Sequence, residues 1–400
     1  MKITDVRVIV TGPTLNYILV KVMTDQDGLY GVGESTLKGS EQAVVQTITH
    51  LSRLLIGHDP QAIEDSWQLL YHNGYWRGGP ILMAAIGGID LALWDIKGKI
   101  AGLPVYQLLG GKARDGVPCY GHASGADGSA VEESVRSFME RGYRYVRVQQ
   151  RGGYGGYGGP GIVRHEPSTQ LLVPGTDFFD APAYLDSVPK LLEHLRTALG
   201  WQINLLHDVH EQLTPIEAAW LAKQVEPYRL FFLEDPLRPE YKESFKLVRE
   251  ASTTAIAMGE LFSSRWDCLP LLQNQWIDFI RIGPIHVGGI TEARKICILA
   301  EAYQARTAFH GPPDIGPIGQ AAAVHLDMTL PNFGIQEWTH FPEQTLEIMP
   351  GACTFHNGMA YPNEQAGLGI DINEDVARKY PFKEDFQPIV RRVDGSMHVY

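Results

Sequence analysis

The sequence predicts an α/β protein in which a small α+β unit precedes a parallel barrel. Three observations predict it. Alternating apolar runs followed by helical stretches occupy the first 110 residues. From Val117 onward the pattern changes to eight short apolar runs, each ending in polar residues, with amphipathic helices between them. The length, 400 residues, suits one large barrel with an appendage, or else two to three ordinary domains. Periodicity does not separate a barrel from an open parallel sheet, so both remain open at this point.

Each element has its own justification. Ile3–Thr11 and Tyr17–Thr24 alternate as strands, and Asp25–Gly28 reads as a hairpin turn. Helical stretches follow near Gln42–Leu55 and Pro60–Tyr71. A third covers Ala84–Ala101, where Ile86, Ile89, Leu93 and Ile96 recur at helical spacing. Gly110–Gly111 ends this unit. The later strand candidates are Val117–His122, Tyr143–Gln149, Asn204–His210, Leu230–Asp235, Ile256–Glu260, Phe279–Pro284, Thr307–Gly311 and Phe333–Trp338. Ser187–Leu199 reads as a helix with Val188, Leu191, Leu192, Leu195 and Leu199 on one stripe. Thr214-Pro215-Ile216-Glu217 opens the next helix with a capping-box pattern. Arg151–Tyr184 breaks the rhythm, being far longer than the usual loop. It holds seven glycines between Gly152 and Gly161, interleaved with Tyr154 and Tyr157. It reads either as a flexible insertion or as an active-site flap.

Composition narrows the function. The 34 basic and 46 acidic residues leave a net charge of −12, which argues against a nucleic-acid partner. The apolar runs fall short of the ~20 residues a membrane-spanning helix needs, so no membrane partner is expected. The N-terminus reads as a strand and not as a signal peptide. Cys119, Cys268, Cys297 and Cys353 form no CxxC pair and read as reduced core residues, so a cytoplasmic location is expected.

Three acidic residues end three successive strand candidates: Asp208, Glu234 and Glu260, separated by 26 and 26 residues. In a barrel they would converge at the C-terminal rim, where three carboxylates repel unless a cation sits between them. Oxygen ligands with room for water favour Mg²⁺. Taken singly, each could instead be a helix cap or a surface acid. The other strand ends are polar too: His122, Arg147 and Gln149, His210 two residues beyond Asp208, Arg281, His310 with Asp314 soon after, and Glu337. Period-two alternation would put His210 on the same face as Asp208.

The stretch Ala85-Ile86-Gly87-Gly88-Ile89-Asp90-Leu91-Ala92-Leu93-Trp94-Asp95-Ile96-Lys97-Gly98-Lys99, with Gly102-Leu103-Pro104 and Leu108-Leu109-Gly110-Gly111, resembles the signature of the enolase superfamily. Within it, the chain is similar to the mannonate dehydratase and gluconate dehydratase group of sugar-acid dehydratases, which includes starvation-sensing proteins. The motifs are Tyr120-Gly121-His122, Asp208-Val209-His210, His310-Gly311-Pro312-Pro313-Asp314, Asn332-Phe333-Gly334-Ile335-Gln336-Glu337 and the tail from Arg391 to Tyr400.

The resemblance implies a modified (β/α)₇β TIM-type barrel over residues 114–374, with a Gly-rich flap at 151–178. It makes residues 1–113 an α+β capping domain completed by about 375–400. It implies Mg²⁺ on Asp208, Glu234 and Glu260. Lys38, His122, Arg281, His310, Asp314 and Glu337 would line an acid-sugar site. The implied reaction dehydrates D-mannonate, D-gluconate or both to the 2-keto-3-deoxy acid through an enediolate. Tyr157 on the flap, beside Arg147, would be the base, with Tyr154 its rival, and His210 the acid. A small-molecule acid sugar is the expected partner, and a homo-oligomer the expected assembly.

Two departures bear on efficiency. Lys38 stands in the capping loop where mannonate dehydratases tend to have Asn, and Pro312 follows His310-Gly311 where efficient ones have Ala. Two other functions compete. A racemase, epimerase or cycloisomerase is one; superfamily racemases commonly carry Lys-x-Lys on strand two, where this chain has Arg147-Val148-Gln149. A non-catalytic or regulatory metal-binding protein is the other, motivated by the glycine-thinned flap.

Overall fold

The computed structural model describes residues 1–150 and 176–399. Strands β1 (Ile3–Thr11), β2 (Tyr17–Thr24) and β3 (Tyr30–Glu34) form an antiparallel meander. Its register sets Val8 against Val20 and Val10 against Ile18. Helices α1 (Glu41–Leu55), α2 (Ile63–His72) and α3 (Pro80–Ala101) complete this layer, and a short α4 (Val105–Leu108) follows. Proline at its first position starts α3, and Gly102 stops it with φ at 66°. Ile86, Ile89, Leu93 and Ile96 pack with Ile18, Val20, Val22, Val44 and Ile48 in one buried cluster.

The second unit runs β4 (Val117–Gly125), α5 (Gly128–Glu140), β5 (Tyr145–Gln150), β6 (Thr176–Phe179), α6 (Ala181–Leu199), β7 (Asn204–Asp208) and α7 (Pro215–Val225). It continues through β8 (Leu233–Glu234), α8 (Phe245–Ala251), β9 (Ile256–Met258), α9 (Arg265–Gln273), β10 (Phe279–Ile280) and α10 (Ile290–Ala302). Then come β11 (Arg306–Thr307), α11 (Pro317–Asp327), β12 (Gln336–Glu337), α12 (Glu343–Ile348), β13 (Thr354–His356), β14 (Met359–Tyr361), α13 (Glu374–Ala377) and β15 (Ile389–Arg392).

Strands β4, β5 and β7 to β11 pair in that order, all parallel. β12 then pairs parallel with β4, and Gly334 N and Ile335 N donate to Thr307 O at the end of β11. The ring therefore closes, which decides for a barrel over an open sheet. The helices α5 to α11 follow the first seven barrel strands; after β12 the chain leaves for the hairpin β13–β14, whose second strand pairs antiparallel with the start of β4. This is a (β/α)₇β barrel with a capping unit.

Several local expectations shift. The apolar runs overshoot the strands proper: Leu230–Asp235 contributes only Leu233–Glu234, although Phe231 N still bonds to Leu205 O and Asp235 N to Ala257 O on either side. The flap interval predicted to end at 178 runs into a strand, since β6 begins at Thr176 and pairs parallel with β15. Helix α6 starts at Ala181, six residues before Ser187, because the Asp180 side chain caps Ala183 N at 3.1 Å and Pro182 occupies the first turn. The C-terminal segment divides. Around α13 it lies on the capping unit, with Lys21 Nζ 3.0 Å from Glu374 Oε1 and Thr11 Oγ1 donating to Ala377 O, whereas β15 lies on β6.

Two glycines set the spacing of β3 and α3. A Cβ at Gly33 would lie 1.9 Å from Gly88 O, and one at Gly31 would lie 1.9 Å from Ala92 O. Backbone cannot yield as a side chain can. Gly33→Ala is therefore expected to destabilise the protein by on the order of 3 kcal/mol, read as a lower urea midpoint with an unchanged slope.

Candidate active site

The barrel interior is built in layers. Tyr120, Leu206, Phe232, Phe279, Ala308 and Ile335 belong to one buried apolar cluster. Two residues further along each strand, and so on the same face, stand His122, Asp208, Glu234, Arg281, His310 and Glu337. Arg147 joins this upper layer from β5, two residues beyond Tyr145. Strand β9 breaks the period: Gly259, with φ at 141°, takes the position after Ala257, and Glu260 follows it.

Two fully buried guanidiniums organise the layer. Arg281 Nη2 lies 2.9 Å from Glu234 Oε1, 2.7 Å from Glu337 Oε2 and 2.9 Å from Tyr120 Oη, and its Nη1 lies 3.2 Å from Glu260 Oε2. Arg147 Nη1 lies 3.1 Å from Asp208 Oδ2, 3.3 Å from Glu234 Oε1 and 3.6 Å from Glu337 Oε1. His122 Nε2 closes on Glu337 Oε1 at 2.9 Å. Burial would raise the Glu337 carboxyl, but Arg281 and His122 hold it well below the usual carboxylate range. Burial lifts Glu234 well above that range against the pull of Arg281. His310 Nδ1 is 3.1 Å from Glu260 Oε2; burial would lower this imidazole, and the carboxylate raises it instead.

Above this floor opens a cavity of about 600 Å³. Lys38 and Leu37 reach it from the capping unit, and Arg147, His210, Glu260, His310, Asp314 and Glu337 from the barrel. His122, Arg281, Asp208 and Glu234 lie outside this lining, around the buried ion-pair network. His210 reaches the cavity by a route other than strand alternation. β7 ends at Asp208, and His210 and Glu211 take left-handed φ values of 52° and 65°. His210 N donates to Asp208 Oδ1 at 2.7 Å, and its Nε2 comes to 3.7 Å from Glu260 Oε1. Tyr154 and Tyr157 lie outside the described residues.

The carboxylates at the strand ends fit a cation. Ligand atoms of Glu234, Asp235 and Glu260 all lie within 4.8 Å of one another. The Asp208 carboxylate, at the neighbouring strand end, lies against Arg147 Nη1 and His210 N. Among the described residues, Glu234 Oε2 and both oxygens of Asp235 are buried without a hydrogen-bond partner. An all-oxygen donor set with unmet acceptors suits a hard divalent cation.

Comparison with known proteins places this architecture. Residues 6–110 match the N-terminal domain of the mandelate racemase and muconate lactonizing enzymes, and residues 130–376 match the enolase C-terminal domain-like family. The chain belongs to the enolase superfamily. Superfamily relatives include a D-mannonate dehydratase of Sphingomonas sp., 47% identical with 99% of each chain covered. Another is the D-galactonate dehydratase family member RspA of Pantoea ananatis, 48% identical over 95% of this chain and 94% of the relative. A crystal structure of an enolase from Pantoea ananatis with bound D-gluconate and Mg superposes with a TM-score of 0.95, at 47% identity and 99% coverage of both chains.

This superfamily member also carries site-supporting residues that sequence reasoning missed. Glu34, at the end of β3, is buried between the two units. Its Oε1 accepts from Gly316 N at 2.6 Å and Thr36 Oγ1 at 2.8 Å, and its Oε2 from Gly319 N at 2.8 Å. Those amides open α11, so the capping unit holds the loop that carries His310 and Asp314 by a helix N-terminus. Tyr17 Oη donates to Pro313 O at 2.9 Å in the same loop. His286 lines the cavity, with Nε2 3.0 Å from Thr36 O. Nothing local in the sequence marks Glu34, because its two amide partners are 282 and 285 residues away.

Burial pushes the Glu34 carboxyl from 4.5 up to about 7, against the Gly319 and Gly316 amides and the Thr36 hydroxyl. Between those values the folded chain keeps a proton that the unfolded chain has released. This group's contribution therefore favours folding below the lower value and declines as pH rises through the window. Glu34→Gln should flatten that slope: the stability change between about pH 4.5 and about pH 7.5, measured by urea unfolding, should shrink by on the order of 3 kcal/mol.

Proposed function

We propose that this chain is a Mg²⁺-dependent lyase that dehydrates D-mannonate, D-gluconate or both to the 2-keto-3-deoxy acid. The observation that carries the reading is the meeting of His210 with Glu260, one of a cluster of cation-suited carboxylates, in a cavity of about 600 Å³. The D-mannonate dehydratase relative and the D-gluconate-bound neighbour support the substrate class.

Mg²⁺, when bound by Glu234 and Glu260 with Asp208 as the third expected carboxylate, supplies positive charge beside the substrate carboxylate and lowers the cost of removing the C2 proton. The flap tyrosine, Tyr157 or its rival Tyr154, takes that proton, with Arg147 favouring the phenolate. His210 gives a proton to the C3 hydroxyl as the C3–O bond breaks, so that water leaves. The resulting enol takes up a proton at C3 and becomes the keto acid. Lys38, His310 and Asp314 read the hydroxyls, while His122, Arg281 and Glu337 form the charged floor that keeps the carboxylates in place. Lys38 and Pro312 both line the cavity, at the two positions where efficient mannonate dehydratases differ, which supports low turnover of mannonate.

The test is incubation with Mg²⁺ and a panel of epimeric aldonic acids, following 2-keto-3-deoxy acid formation and C2 exchange in D₂O. Keto-acid formation is the expected result; C2 exchange without it would mean racemase-type chemistry, and neither event with any acid would overturn the lyase reading. With a confirmed substrate, His210→Asn should retain fold and Mg²⁺ binding but lose roughly 10²-fold or more in dehydration rate. A wild-type rate in that variant would remove His210 from the mechanism.

A further inference from the structure

Glu211, which lines the catalytic cavity, also lines a second one of about 670 Å³. The other walls of this second cavity come from the end of β6, the start of α6, the turn into α7, Arg238 and Tyr241 after β8, and the tail beyond β15. No residue given a role in dehydration lines it.

Its polar groups fall into two sets. Arg238 and Arg392 bring guanidiniums, and neither makes a hydrogen bond or salt bridge through that group with any described residue. Arg147 and Arg281, by contrast, are each held by several carboxylates. The second set consists of acceptors. Gln212 O accepts from His398 Nε2 at 3.1 Å, and a carbonyl can only accept, so the imidazole proton sits on Nε2. Burial, reinforced by Arg392 and Arg238, pushes His398 down to about 4, so Nδ1 stays a bare acceptor at neutral pH. That Nδ1 is buried without a hydrogen-bond partner, and so is Oε1 of Glu211, a residue only 9% exposed. The other carboxylates of the lining are engaged locally. Glu217 Oε2 accepts from Thr214 N at 2.9 Å and Thr214 Oγ1 at 2.6 Å, and Asp394 Oδ1 from Ser396 N at 2.8 Å and Ser396 Oγ at 2.6 Å.

The tail holds its groups in place. His398 stacks on Phe179 with ring centroids 5.0 Å apart, and His398 N donates to Val390 O at 2.9 Å. Arg392 N donates to Ser396 O at 2.8 Å across the turn that follows β15. Two guanidiniums suit a carboxylate, while acceptors buried without donors are costly. A molecule that meets both demands carries a carboxylate at one end and hydroxyl donors along its length.

We propose that the second cavity is a separate binding site for a small polyhydroxylated carboxylic acid, with the carboxylate on Arg238 and Arg392 and hydroxyls toward Glu211 and His398. The site uses none of the dehydration machinery, so it stands or falls independently of the lyase reading.

The test is calorimetric titration of the full-length, Mg²⁺-loaded protein with D-gluconate, wild type against an Arg238→Gln/Arg392→Gln double variant. The wild type should take up two molecules per chain. The double variant should lose one of them, its Kd rising at least about tenfold. Hexanoate keeps the carboxylate and chain length without the hydroxyls, and should bind the second cavity at least about tenfold more weakly than D-gluconate. Equal binding of the two would overturn the hydroxyl assignment. A single wild-type molecule that the double variant loses would support this site while counting against D-gluconate in the catalytic cavity. An unchanged isotherm in the double variant, or a wild type that binds no D-gluconate, would overturn the proposal. Should the double variant fail to fold, Arg392→Gln replaces it, since that residue is exposed and its guanidinium has no hydrogen bond to a described residue to lose; the expected and overturning results are the same.

Discussion

Two guanidiniums in the dry interior of the barrel govern the site. Arg147 and Arg281 are essentially inaccessible, and between them they contact Asp208, Glu234, Glu260 and Glu337 from four different strands or strand ends. Burying that many charges is tolerable only when each meets its opposite at hydrogen-bonding distance. The barrel achieves this because closure turns inward-facing positions from every strand toward one axis. The apolar layer beneath, with Tyr120 packed edge-on to Phe232, keeps water from the base of the network. The Tyr120 hydroxyl oxygen also accepts from Arg281 Nη2 at 2.9 Å.

The capping unit is bound to this network at a distance. Glu34 and Tyr17 hold the loop after β11, and Asp95 in α3 accepts from Val32 N and Leu368 N while pairing with Lys99. These contacts fix where Lys38 stands relative to His310 and Asp314 across the cavity. A surface attachment of exposed ion pairs could not do so, since such pairs are screened and conformationally loose. Buried carboxylates capping backbone amides are directional, and their loss leaves donors unmet. The placing of Lys38 across the cavity therefore depends on packing between the two units as much as on the residues that line it.

Much was legible along the chain because barrel strands are local objects. Each apolar run ending in a polar residue is read from a handful of neighbours, and period two then carries Asp208, Glu234, Arg281 and Glu337 to one face without further information. The periodicity of α3 is equally local, since Ile86, Ile89, Leu93 and Ile96 mark it within one stretch. What could not be read were relations between distant segments. The barrel's closure rests on β12 finding β4, and Glu34 acts on amides 282 and 285 residues away. The parallel pairing of β6 with β15 is of the same kind. Backbone turns at single residues also escaped. His210 enters the cavity through a left-handed turn where alternation predicted a continuing strand, and Asp235 joins Glu234 and Glu260 through another. The sequence by itself determined which side chains each strand offers, because alternation is a property of the extended chain. Only the tertiary structure decided which of them meet, because that depends on ring closure and on φ angles set by contacts from elsewhere in the fold.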